Sequence, residues 1–248
     1  MHFKMQLEGK MAKSKREFGE GPLYTITNYI FWFLLGNLYF LLLNIPLVLM
    51  LIILFSNGTN KIPQGFTSIL VICCIPIAPA ATALFSVMGK IIREKDVSIT
   101  KDYFKAYKTN FIQSLFFGAL EIMLICILSI DIKYFIASAY PRVLTVSVFV
   151  IIVFAYSVNL YIFPIISRFY LGWKDILKTA MYYTIRKFNI TLLCLSSFFI
   201  VGFVFFKVTT FVLLFISSIV CYLIMYYQKN ILLEIENKIK QDVDKSQI

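Results

Sequence analysis

The chain reads as an all-α protein: a polytopic membrane helix bundle of about six transmembrane helices, with two short interfacial helices on its cytoplasmic face. Three observations carry that reading. Of the 248 residues, 60% are hydrophobic and 17% aromatic, and the mean hydropathy is +0.81, well outside the composition of soluble domains. Six apolar stretches, near 26–55, 67–89, 111–132, 143–166, 190–206 and 208–227, mostly meet the about 20 helical residues that a ~30 Å hydrocarbon core requires. The 24 Lys and Arg are divided unevenly between alternate connections. The N-terminal tail, the second and fourth connections and the C-terminal tail hold all of them except Lys61, Lys133, Arg142 and Lys207. Such a bias is the positive-inside signature of a multi-pass protein with both ends in the cytoplasm.

The chain divides into a basic cytoplasmic tail (1–25), a transmembrane domain (26–228) and a cytoplasmic helical tail (229–248). The tail before the first span is polar, and that span is too long for the apolar core of a cleavable signal. The net charge of +11 suggests nucleic acid at first sight. The basic residues flank the spans, however, where they hold loops on one side and meet anionic lipid headgroups; the partners expected are the bilayer and those headgroups, with no nucleic acid.

The first span carries Asn44-Ile45-Pro46, whose proline removes a backbone hydrogen bond and kinks the helix. Residues 56–66 read as an outer loop from their Asn-Gly and Ile-Pro turns. Pro76 and Pro79 interrupt the second span, and Ala78, Ala80, Ala81 and Ala83 beside them allow a neighbouring helix to approach closely. Such a break can line a cavity or be a packing kink.

Residues 98–111 read as the first interfacial helix, with Thr100 as N-cap and Asp102 in the first turn. Tyr103, Phe104, Tyr107 and Phe111 recur at helical spacing and would face lipid, with Lys101, Lys105 and Lys108 toward the headgroups. Residues 172–188 repeat the pattern through Lys174, Asp175 and Lys178, after Pro164 and Arg168. A helical hairpin over 190–227 turns at 205–210 without Gly or Pro. The tail after Tyr227 places Ile231, Leu232, Ile235 and Ile239 on one face and continues the last helix into the cytoplasm.

Glu121 is the sharpest single residue, ten positions into its span. An ionised carboxylate at that depth costs roughly 2.5–3.5 kcal/mol, so it either holds a proton or faces a polar interior. By depth Asn37 and Asn159 can reach it. The candidate intramembrane polar site is therefore Glu121, Asn37, Asn44 and Asn159 beside the Pro76–Pro79 break. The candidate lipid or partner face is Lys101, Lys105, Lys108, Arg168, Lys174 and Lys178. No metal site or cofactor is expected: all five cysteines lie in apolar spans and His2 is the only histidine. No hydrolase, protease or nucleotide-binding motif is present, so no enzymatic activity is expected.

Three segments, GNLYFLLLNIPLV (36–48), PAATALFSVMGKIIREKDVSITKDYFKAYKTNF (79–111) and FPIISRFYLGWKDILKTA (163–180), together resemble the YesL-like family of bacterial membrane proteins, a domain of unknown function. The resemblance implies a bacterial cell membrane location and a role beside carbohydrate uptake, with sugar ABC transporter subunits as partners. It supplies no established site residue. The function expected is a transport-associated accessory or small permease component; the alternative is a non-transporting adaptor or regulator acting through its basic cytoplasmic face.

Overall fold

The computed structural model describes residues 22–57, 65–94, 97–137, 142–207 and 214–246, which contain ten helices and no strand. In chain order these are α1 (Pro22–Leu43), α2 (Ile45–Asn57), α3 (Phe66–Cys74), α4 (Ile77–Glu94) and α5 (Ile99–Ala137). They continue with α6 (Arg142–Arg168), α7 (Trp173–Arg186), α8 (Phe188–Lys207), α9 (Ile216–Tyr227) and α10 (Lys229–Ser246). Four stretches, Tyr24–Leu43, Ser68–Glu94, Ile99–Ala137 and Arg142–Arg168, are long and apolar enough to cross a membrane. The pairs α7–α8 and α9–α10, bent by 94° and 57°, bring the total to as many as six. The protein is a helical membrane bundle.

Proline chemistry sets the breaks. Pro46 has no N–H to offer the carbonyl one turn back; α1 ends at Leu43 and α2 begins at Ile45. Pro76 separates α3 from α4 in the same way. Pro79 needs no repair: it lies in the first turn of α4, where a missing N–H goes unnoticed. The expected Pro76–Pro79 interruption is thus a single break at Pro76.

Around α4 the packing is closest. Its Ala80, Ala83, Leu84, Met88 and Ile91 are fully buried, and it touches α1, α5, α6 and α9. A Cβ added to Gly118 of α5 would sit 2.3 Å from the Ala78 Cβ, so the two backbones approach as closely as side chains permit. Small residues at a helix crossing serve this purpose in lipid, as the alanine run suggested. On the other flank α1 is pinned to α9: the Ser217 N–H donates to Asn37 Oδ1 (3.0 Å) and Ser218 Oγ to the Phe33 carbonyl (2.8 Å).

The first expected interfacial helix is not a separate element. Residues 99–111 are the opening of α5, which at 39 residues is roughly 58 Å long. Tilts of up to about 40° cannot fit that length into ~30 Å of hydrocarbon, so one end projects beyond it. No Gly or Pro interrupts the segment, and its buried positions, Ile99, Tyr103, Ala106, Asn110, Ser114 and Phe117, form one continuous stripe against α4. Tyr103 therefore faces protein and Phe104 and Tyr107 pack partly against the core, while Phe111 remains exposed. Tyr103 is completely buried, donates to the Ala80 carbonyl (3.1 Å) and packs against Tyr39 and Phe104. Thr100 is not the cap. It lies inside the helix and shares a hydrogen bond with the Tyr39 hydroxyl (2.7 Å), while Asp102 accepts from the Ser98 N–H (3.2 Å).

The second interfacial helix has the expected geometry. α7 buries Ile176, Ala180, Tyr183 and Thr184 against the bundle. It leaves Leu177, Met181 and Ile185 exposed along one stripe, with Lys174 and Lys178 exposed beside it. That three-faced pattern suits the headgroup boundary. The two Lys-Asp-x-x-Lys segments are consequently not geometric repeats, since α5 runs straight on whereas α7 turns at Lys187.

α8 and α9 pack against each other, and the start of α8 lies beside the end of α9, where Gln228 Nε2 is 3.7 Å from Cys194 Sγ. They form the expected hairpin; residues 208–213 between them, like the tail before Pro22 and most of the 56–66 loop, lie outside the described residues. α10 is no free extension of α9. It bends by 57° and buries Ile231, Leu232 and Ile235 in the core, because its apolar face would otherwise meet water.

The hinge residue of that bend repairs a defect elsewhere. Pro164 lies inside α6 and has no N–H for the carbonyl one turn back, that of Leu160. The fully buried Gln228 donates from Nε2 to that oxygen at 2.8 Å. Replacing Gln228 by Leu should lower stability in detergent by roughly 1–2 kcal/mol. The loss should shrink in a Pro164→Ala background, which restores the helical donor; a double-mutant cycle with no coupling would contradict the repair. Gly118→Ala should also destabilise, by about 1–3 kcal/mol, and Ala78→Gly in the same chain should recover part of the loss, both read as thermal midpoints.

Candidate functional site

Halfway along α5, Glu121 is half-buried between two adjoining clefts of about 390 and 450 Å³. Its place follows from the α4–α5 stripe: Gly118, one turn earlier, meets Ala78, so the next turn looks across to Ile77 and Ala81. The smaller cleft runs from Cys74 and Ala78 to Ile125 and Cys126; the larger reaches Phe40 of α1, Phe198 and Val201 of α8, and Ser217 and Val220 of α9. Glu121, Tyr156 and Phe163 belong to both. Asn159, one turn after Tyr156 on α6, hydrogen-bonds to the Glu121 carboxyl, as their depths suggested. No basic side chain lines either cleft. A carboxyl group with one amide partner in apolar surroundings can hold a proton or a cation. General acid–base chemistry by a pair of carboxyls has no second member among the lining residues.

The other expected members of this site are elsewhere. Asn37 is completely buried and its Oδ1 accepts from the Ser217 backbone, behind the wall of the larger cleft, so it supports the site without facing it. Asn44 is at the α1–α2 break. Its Nδ2 donates to the Phe40 carbonyl at 2.8 Å, and its Oδ1 is buried with no partner among the described residues. It serves the break and does not reach Glu121. Pro76 and Pro79 do not line the clefts; the residues that follow Pro76, Ile77 and Ala78, do.

A second constellation forms at the basic end of the bundle. A cavity of about 150 Å³ is lined by Ser86 and Lys90 of α4, Asp102, Lys105, Thr109 and Asn110 of α5, and Ser167 and Arg168 of α6. Lys90 pairs with Asp102 at 2.9 Å. Arg168, with only 10% of its side chain exposed, pairs with Glu236 of α10 at 2.5 Å. Lys101, Lys105 and Lys108 share one exposed stripe of α5, and of these only Lys105 lines the cavity. Lys174 and Lys178 are exposed on α7 and line none of the cavities described. The single basic face expected from sequence is thus a pocket holding Lys105 and Arg168, with two separate exposed stripes.

Several residues of this end were not among the site residues expected from sequence, Asp102 being read there only as a first-turn acid. Lys90, Asp102 and Glu236 carry its ion pairs, and the Lys238 ammonium sits over the rings of Tyr182 and Tyr183 while donating to the Tyr183 hydroxyl at 3.1 Å. Tyr156 of the cleft and Gln228 were missed as well. Gln228 had a signal, since Pro164 in a span announces an unpaired carbonyl.

Comparison with known proteins comes to bear here. Residues 33–132 match a family described as a protein of unknown function, DUF624. That stretch is similar to the DUF624 family, in keeping with the YesL-like resemblance of the sequence. The DUF624 segment runs from α1 through most of α5 and contains Glu121, Lys90 and Lys105, while Asn159, Arg168 and Glu236 lie beyond it. A stretch of 104 residues is also 35% identical to an uncharacterized protein, YteU, of Bacillus subtilis (strain 168); it covers 40% of this chain and 44% of that relative. The chain thus spans less than half the length of the curated relative it matches. No solved structure matches.

The Glu236 carboxyl is held below the ordinary carboxylate range, first by Lys240 and then by Arg168; Lys238 does the same for Glu234. A carboxyl depressed in the folded state stabilises above its unfolded value, about 4.3, and that contribution is lost as pH falls through the folded value. The docking of α10, followed by hydrogen exchange over 229–241, should therefore stay constant from pH 8 to about 5 and loosen below about 4. Glu234→Gln/Glu236→Gln together should flatten the profile.

Proposed function

We propose that this membrane protein is an accessory component of a transport system for carbohydrate uptake, and not itself the solute conduit. The observation that carries the proposal is the lining of the intramembrane clefts. A sugar presents hydroxyl groups on all sides, and each buried one needs a partner. The clefts offer Glu121, Asn159, Tyr156 and Ser217 among apolar side chains, too few polar groups to replace a sugar's water shell.

The exposed lysines 101, 105 and 108, together with α7 and α10, supply the surface for a partner. The charge bias supports a cytoplasmic placement of this end and of both chain termini, and the YesL-like resemblance supports a bacterial cell membrane. The YesL-like resemblance supports sugar ABC transporter subunits as the partner. The adaptor or regulator reading draws on the same exposed lysines and differs only in the identity of what they hold.

Tagged protein purified gently from its native host should carry ABC transporter subunits, identified by mass spectrometry. Charge reversal at Lys101, Lys105 and Lys108 should release them. The chain alone in liposomes should pass no sugar above protein-free vesicles. Sugar flux that Glu121→Gln abolishes would overturn the accessory reading, and recovery of a partner unrelated to transport would replace it with the adaptor.

A further inference from the structure

The cavity at the basic end differs in chemistry from the clefts around Glu121. It brings together Lys90 from α4, Lys105 from α5 and Arg168 from the last turn of α6, with Asp102 the one acid in its lining. Asp102 is committed: it accepts from Lys90 Nζ at 2.9 Å and from the Ser98 N–H at 3.2 Å. Arg168 is partly neutralised by Glu236, which it shares with Lys240. Lys90 also pairs with Glu94 at 3.7 Å, outside the lining; Lys105 is therefore the cation of the lining that no carboxylate among the described residues neutralises.

The remaining lining groups are suited to an oxyanion. Ser86, Thr109 and Ser167 bring hydroxyl groups, and Asn110 brings a carboxamide on the buried stripe of α5. The Ser167 hydroxyl is engaged with the Pro164 carbonyl at 2.8 Å, leaving Ser86, Thr109 and Asn110 as the neutral candidates. Size narrows the ligand further. At a liquid share of about 30 Å³ per water, 150 Å³ corresponds to roughly five waters. That is room for one tetrahedral group, while pockets that enclose a whole drug-sized ligand start near ~300 Å³.

We propose that this cavity is a binding site for one phosphate group, held by Lys105 and Arg168 with Lys90 and the neutral donors around it. Arginine and lysine together provide the fork and the point charge that phosphate recognition uses. The group could be carried by an anionic lipid headgroup, since the cavity lies at the basic end of the α4–α5 pair, or by a soluble phosphate or phosphate monoester. The site does not depend on the accessory role proposed above.

The test uses the full chain in nanodiscs. In one arm, discs of a neutral, phosphate-free glycolipid are compared with discs containing phosphatidylglycerol, with bound lipid counted by native mass spectrometry. In the other, inorganic phosphate and glycerol phosphate are titrated into the neutral discs by calorimetry. One arm should show a saturable site, and Lys105→Gln should weaken it about tenfold, the loss of one hydrogen bond between charged groups. Lys174→Gln/Lys178→Gln, outside the cavity, should leave it unchanged. Binding in the lipid arm alone assigns a headgroup, and binding in the soluble arm alone assigns a free phosphate. No saturable site in either arm overturns the proposal. So does an equal loss in the Lys105 and the α7 variants, which would mean diffuse attraction by the whole basic face. Lys105 is chosen because Arg168 also holds α10, and a failure to fold would mimic a failure to bind.

Discussion

Close approach of backbones around α4 is the constraint on which the rest of this protein depends. Among acyl chains a leucine gains little by leaving lipid for another leucine, so helices associate through tight contact and shared hydrogen bonds. α4 supplies the contact: Ala78 meets Gly118, Gly89 lies against Met225, and Met88 reaches Gly36 of α1. Its neighbours supply the hydrogen bonds, from Tyr103 to Ala80 and from the α9 backbone to Asn37. Both candidate sites are built on this helix. Ile77, Ala81 and Phe85 form a wall of the larger cleft, and Ser86 and Lys90 a wall of the basic pocket. What α4 withholds from its neighbours becomes cavity.

A second theme is how the chain treats the donors its prolines lack. Pro46 and Pro76 divide a span each, and the chain accepts a break. Pro79 avoids the problem by its place in a first turn. Pro164 keeps its helix intact because Gln228 reaches the stranded carbonyl from another element. Polar groups at membrane depth are expensive, and here most of them have identifiable structural work. Glu121 is different: a single amide attends it, and it opens onto cavities on both sides.

How much of this was legible in the sequence follows from which features are local. The bundle, its spans, the hairpin of α8 and α9, and the break at Pro46 all follow from hydropathy and proline chemistry within a few residues. Glu121 and Asn159 could be paired because depth along a span is a coordinate that the sequence carries. Asn37 and Asn44 were at plausible depths too, but rotation about the helix axis decides what a side chain faces, and that is set by packing. The reading of 98–111 failed for a related reason: two aromatic-rich faces look alike until a partner is known, and α4 was the partner. The buried stripe from Ile99 to Phe117, running without a break into the span, was the available clue. The basic pocket was legible only as charge. Its ion pairs join residues as far apart as Arg168 and Glu236, a separation that no local pattern spans.

The bond between Gln228 and the Leu160 carbonyl also has a historical side. Substitutions at the two positions are not interchangeable in order. A lineage that first replaces Pro164 regains its helical donor and leaves Gln228 free to drift. One that first loses Gln228 strands a carbonyl inside the protein and must pass through a weakened ancestor. Relatives in which the proline is gone are therefore the ones in which the glutamine is released to vary, and the path between the two states runs in one direction.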